Sequence, residues 1–208
     1  MTAEVGLSGT VDGRRVRGTI IVGTEDAGGV RLEVPAPFGA PLLVLAARPG
    51  AARLLLPRER RYVDAPDAAA LLDAVAGLRL SGADLHALLT GCGVSRSTPS
   101  GGERFPAGWT AVPIATDAVA WLRDNLHPVR LAALTRPGLQ VEYVAFAGAW
   151  PARVRVFASA TRDARLALRL FQVEVNTPIA PGAFELAVPP DAAPMSLAEL
   201  AASGPLQR

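Results

Sequence analysis

The sequence predicts a mainly β (α+β) domain: one strongly curved antiparallel sheet, with two short helices covering part of it. Three observations lead there. Short β-prone runs punctuated by Gly, Pro and Asp fill both halves of the chain, and an Ala/Leu-rich helical stretch interrupts them near the middle. About ten locally connected strands cannot stay in one flat sheet and must curl, split or close. At 208 residues the chain fits a single domain, 1–208. Hydrophobic residues make up 50% and charged residues 19%, which excludes general disorder, while 20 Gly and 18 Pro supply the turns.

Val5–Val11 and Val16–Val22 flank Asp12-Gly13, the strongest hairpin signal in the chain. Val30, Leu32 and Val34 alternate with Arg31 and Glu33, and that strand stops at the Pro-rich stretch 35–41. Leu42–Ala47 and Leu54–Leu56 are apolar on both faces, so a second layer is expected over them. The cover is a helix over Ala68–Leu78 with Asp67 as N-cap, then a break at Gly82 and a second helix over Asp84–Thr90. Ser95–Gly108 reads as a polar, Gly-rich loop. Strands then resume at Trp109–Ile114, Ala118–Arg123, Val129–Leu134, Leu139–Phe146, Arg153–Ala158 and Ala164–Val175. In the last of these the apolar parity changes from Leu166, Leu168 and Leu170 to Val173 and Val175, which predicts a β-bulge near Phe171 or Gln172. A helix over Arg165–Phe171 is the competing reading. Phe184–Val188 is expected as one more strand, and Ser196–Ala202 as a helical turn or two.

Polar chemistry is sparse. His86 and His127, the two histidines, sit in no metal-binding spacing, and no nucleophile elbow, phosphate loop or dinucleotide fingerprint occurs. No catalytic residue, metal or cofactor is expected, and an enzyme is the weakest class. All 21 basic residues are arginine, yet the net charge is only +2 and no basic face interleaved with aromatics is legible, so nucleic acid is not an expected partner. Arg58, Glu59, Arg60 and Arg61 read as a solvated strand end or loop without assigned function. The lone Cys92 has no disulfide partner and is expected as a small buried thiol; Leu89-Thr90-Gly91-Cys92 imitates a lipoprotein cleavage box but follows some ninety residues of folded-looking sequence. No apolar run reaches the roughly 20 residues of a membrane span, and because Met1-Thr2-Ala3-Glu4 runs directly into strand-like sequence, a signal peptide is not expected within these residues.

Three stretches resemble the outer-membrane lipoprotein-sorting family, the LolA/LolB-like carriers and receptors of Gram-negative bacteria. Arg31–Leu42 is similar to a strand, a Pro-apolar-Gly loop and the next strand. Arg61-Tyr62-Val63 through Ala70-Leu71-Leu72 to Leu85–Gly91 is similar to a strand, helix and "LL-x-G" helix end, and Val173–Ile179 with Phe184–Pro190 to the closing strands. Their order along the chain carries the resemblance. It implies an unclosed β-barrel with a helical lid at about 67–91 over an apolar cavity that takes lipoprotein acyl chains or other lipid. It also implies a periplasmic setting, attachment to the outer membrane through an N-terminal lipid that these 208 residues lack, and contact with a periplasmic carrier or other envelope proteins.

On that reading the cavity is expected to be lined by Val16, Ile20, Leu32, Val34, Leu54, Leu56, Val141, Tyr143 and Val156 from strands and by Leu71, Leu72, Val75, Leu85 and Leu88 from helices. Phe38, in the Pro-rich loop, stands where the family's receptor motif has a protruding apolar residue that helps insert cargo into the membrane. The alternative is a structural cell-envelope lipoprotein that keeps the fold with a filled cavity and binds protein partners through its surface.

Overall fold

The computed structural model describes residues 1–92, 101–123 and 129–204. Six strands open the chain: β1 (Thr2–Val11), β2 (Arg14–Thr24), β3 (Val30–Val34), β4 (Leu43–Arg48), β5 (Ala51–Leu56) and β6 (Arg61–Ala65). Helices α1 (Ala68–Ala76) and α2 (Gly82–Thr90) follow, then β7 (Glu103–Phe105), β8 (Trp109–Ala115), β9 (Ala118–Arg123), β10 (Arg130–Arg136), β11 (Leu139–Ala147), β12 (Trp150–Ala158) and β13 (Ala164–Glu174). A 3-10 turn at Pro181–Phe184, the two-residue strand β14 (Ala193–Pro194) and α3 (Leu197–Ser203) complete it.

All fourteen strands form one sheet, in the order β14-β6-β5-β4-β3-β2-β1-β13-β12-β11-β10-β9-β8-β7. Two antiparallel meanders, β1–β6 and β7–β13, are joined along the β1–β13 ladder, and among the described residues only the β14–β6 contact is parallel. The sheet does not close, and α1 and α2 lie in the connection between its two halves. Residues of alternate parity from most strands meet the helices in one core, in which Leu45, Leu54, Leu56, Leu71 and Leu200 are fully buried. Among the described residues no helix is long and apolar enough to cross a membrane.

The bulge in β13 is present. Thr2 pairs with Glu174 and Glu4 with Phe171, so β13 carries one residue more than its partner there, and Gln172 takes a left-handed φ of 50°. The residues 165–171 are strand, not helix.

Four expectations are corrected. Phe184–Val188 is not a strand: Phe184 is buried, and the chain crosses the outside of β3–β5 without a backbone ladder. Side chains hold it instead, Arg31 Nη1 donating to the Ala183 carbonyl (3.0 Å) and Arg53 Nη1 to that of Leu186 (2.8 Å). Within the expected loop 95–108, Glu103–Phe105 pairs with β8, because Ala107 (φ 63°) and Gly108 (φ 74°) turn the chain back; residues 95–100 lie outside the described set. Cys92 is exposed, one residue beyond the left-handed Gly91 that ends α2. Gly82 opens α2 and breaks nothing; α1 ends earlier, at left-handed Gly77, whose N–H donates to the Asp73 carbonyl.

Gly82 is required by packing. A Cβ built there would sit 2.1 Å from the Gly28 carbonyl oxygen in the β2–β3 turn, closer than any real contact. Gly82→Ala is therefore expected to push α2 off this turn despite alanine's better helix propensity. Thermal melting should show a loss of about 1–3 kcal/mol. A gain in stability would show that α2 shifts at no cost.

Candidate functional site

Between the concave face of the sheet and the two helices lies a cavity of about 110 Å³, walled entirely by Val, Leu, Ile and Ala side chains. Local chemistry fixes its roof. Asp67 accepts the Ala70 N–H (2.9 Å) and starts α1, which turns Leu71, Leu72 and Val75 inward. Ser81 and Asp84 form a reciprocal capping box that starts α2, and Ala87, Leu88 and Leu89 are buried beneath it.

Nine of the anticipated lining residues stand on this wall: Ile20, Leu32, Val34, Leu54 and Val156 from strands and Leu72, Val75, Leu85 and Leu88 from helices. Five stand elsewhere. Val16, Leu56 and Leu71 are buried in the surrounding core, and Val141 and Tyr143 face a crevice of about 10 Å³ beside α2. Val5, Leu7, Val22, Leu43, Leu45 and Leu166 also line the cavity. Alternation alone does not single these six out, because the curvature of the sheet decides which apolar residues reach the void.

α2 is held at both flanks. The Tyr143 hydroxyl donates to the Leu88 carbonyl (3.2 Å), and burial pushes this phenol well above its usual pKa. Arg136 Nη2 donates to the Arg79 carbonyl at 2.8 Å, and its Nη1 is 3.4 Å from Asp84 Oδ2, which ties the α1–α2 link to β10. On the other flank His86 Nδ1 and the fully buried Thr24 Oγ1 are 2.9 Å apart. His127 lies outside the described residues.

The His86 pKa is lowered, first by burial and then by the N-terminal amine, against opposing contributions from Asp26, the Thr24 backbone and Glu25. A lowered pKa means that the unfolded chain takes up the proton more readily, so this contribution to stability is intact above the unfolded value and declines as pH falls below about 6.5. His86→Gln should flatten the melting profile between about pH 8 and about pH 5. Parallel profiles for the two proteins would contradict the assignment.

At the end of the sheet that carries the β1–β2 turn, the 35–42 loop holds Phe38 in solvent at 88% exposure. Gly39 at φ 77° permits the bend. Arg58 then braces it, Nη2 donating to the Phe38 carbonyl (2.7 Å) and Nε to that of Ala40 (3.4 Å). The arginine cluster does sit at a turn and strand start, as expected, but the bracing role of Arg58 was not legible because its partners lie some twenty residues away.

Among the described residues no group of three or more His, Cys, Asp or Glu side chains is placed to hold a metal ion. No family model matches the chain, and no curated protein matches it. Solved structures do. A LolA superfamily protein, NE2245 from Nitrosomonas europaea, superposes with a TM-score of 0.58 at 10% identity over 89% of each chain. A putative outer membrane lipoprotein-sorting protein domain from Vibrio parahaemolyticus gives 0.49 at 11% identity over 88% of each chain. The unclosed sheet, the helical pair over its concave face and the first of these superpositions together give this chain the LolA-like fold.

Proposed function

We propose that this protein shields lipid acyl chains, those of lipoproteins foremost, in the cavity beneath α1 and α2 and delivers them to a membrane that Phe38 touches. The carrying observation is the wall of about twenty aliphatic side chains, with no polar group among the described residues that line it, placed under two short helices. Burial of methylenes at about 0.8 kcal/mol each supplies affinity without covalent chemistry and distinguishes poorly among chains. The setting that fits is the bacterial periplasm, with contact to the outer membrane and to a periplasmic carrier or other envelope proteins.

At about 110 Å³ the cavity is smaller than one of about 150 Å³ that admits a benzene ring, so a whole acyl chain enters only as the helices move outward. The same volume favours the second reading, a structural envelope lipoprotein whose cavity stays filled by its own side chains. Titration with a fluorescent fatty acid, alongside native mass spectrometry of protein taken from cells, separates them. Saturable binding supports the carrier; no binding together with no co-purified lipid removes it.

A further inference from the structure

The convex face of the sheet bears a feature that the cavity does not use. Register sets Arg153 on β12 directly opposite Arg169 on β13, with Gly6 of β1 next in that row. In the neighbouring row Arg155 faces Ala167, followed by Ser8. Between the rows lies a groove of about 220 Å³ floored by Gly6, Ser8 and Ala167 and flanked by the three arginines. The sequence shows no basic run because these arginines come from two strands and alternate with apolar residues; pairing brings them together.

Like charges directly opposite on adjacent strands repel and destabilise the pair. The guanidinium groups of Arg153 and Arg169 make no hydrogen bond or ion pair with another described residue. The third arginine does have a carboxylate beside it: Glu142, directly opposite on β11, has its Oε2 3.8 Å from Arg155 Nη1, while its Oε1 accepts from Gln140. Guanidinium forks match tetrahedral oxyanions in bidentate fashion and offer no acceptor, and Ser8 adds a hydroxyl donor at the floor. A doubly charged anion between Arg153 and Arg169 turns their repulsion into two charge-assisted contacts.

We propose that Arg153, Arg155 and Arg169, with the Ser8 hydroxyl, form a site for a phosphate group, borne by free phosphate or by a phospholipid headgroup. The site is independent of acyl-chain binding in the cavity. Calorimetry with inorganic phosphate, against chloride at matched ionic strength, tests the first source. Flotation with phosphatidylglycerol against phosphatidylcholine vesicles tests the second, in a Phe38→Ala background that removes the loop's own contact. The wild-type groove should bind in at least one arm, and Arg153→Gln and Arg169→Gln should each weaken that binding at least tenfold. With anion absent, either substitution should leave the melting midpoint unchanged or raise it by about 1–3 °C, because it relieves the repulsion. Fatty-acid titration of both variants should match wild type, which keeps the two readings separable. Binding in the phosphate arm assigns a soluble phosphate, and binding in the vesicle arm alone assigns a headgroup. Absence of binding in both arms, or unaltered binding by the Arg153→Gln/Arg169→Gln double variant, overturns the site.

Discussion

Phe38→Ala is expected to leave the melting midpoint of the protein almost unchanged while weakening its partitioning onto vesicles about tenfold or more. The ring is 88% exposed, so its removal creates no cavity, whereas the same truncation in a core costs about 3–5 kcal/mol. Its transfer from water into an apolar layer is worth about 1.5–3 kcal/mol, and each 1.4 kcal/mol is about tenfold in an equilibrium. Geometry makes the transfer effective. Arg58 ties the carbonyls on both sides of Gly39 to the β5–β6 turn, which holds the loop that carries the ring. Phe38→Glu should abolish partitioning with the same unchanged midpoint. A loss of several kcal/mol in either variant would make the ring a packing residue and remove its membrane role.

Leu54→Ala carries the largest expected loss of stability. Leu54 is fully buried in the middle of β5, between Leu45 and Val63 on the neighbouring strands, and it also faces the cavity. Truncation should cost about 2–5 kcal/mol, since the void it leaves joins one already present and cannot collapse. For a chain of this size that lowers the midpoint by about 4–20 °C. On the proposed function a saturating fatty acid restores part of the loss, because a ligand that binds only the folded state stabilises it, by about 2.7 kcal/mol at a hundredfold excess over its dissociation constant. Melting Leu54→Ala with and without the fatty acid reads both effects. A midpoint unaffected by the lipid would leave Leu54 as core and nothing else.

Local patterning made much of the architecture legible. Asp12-Gly13 set the first hairpin, the parity change after Leu170 marked the β13 bulge, and the Asp67 cap with the Leu71, Leu72, Val75 spacing located α1. What failed depended on distant partners. The segment after Phe184 looks like a strand, but no backbone edge receives it, and it is fastened by arginines from β3 and β5. Glu103–Phe105 is too short and polar to announce a strand and forms one only because β8 offers an edge. Within the candidate site, alternation placed the inner-face residues, yet curvature carries Val141 and Tyr143 to the α2 flank and brings Val5 and Leu166 to the void. The arginine groove was invisible for the same reason, because it exists only through the register of β12, β13 and β1.

On the proposed function α1 and α2 are a lid which moves to admit an acyl chain. Two nine-residue helices are marginal without packing, and they roof a cavity of about 110 Å³ and not a filled core, so their opening should require less free energy than opening the sheet. Hydrogen exchange measured with and without a bound fatty acid tests this directly. Exchange should be faster over residues 68–90 than over 139–175 in the lipid-free protein, with marked slowing of 68–90 when the fatty acid is present. Equal protection of both segments, unaltered by the lipid, would contradict it and leave a sealed core beneath fixed helices.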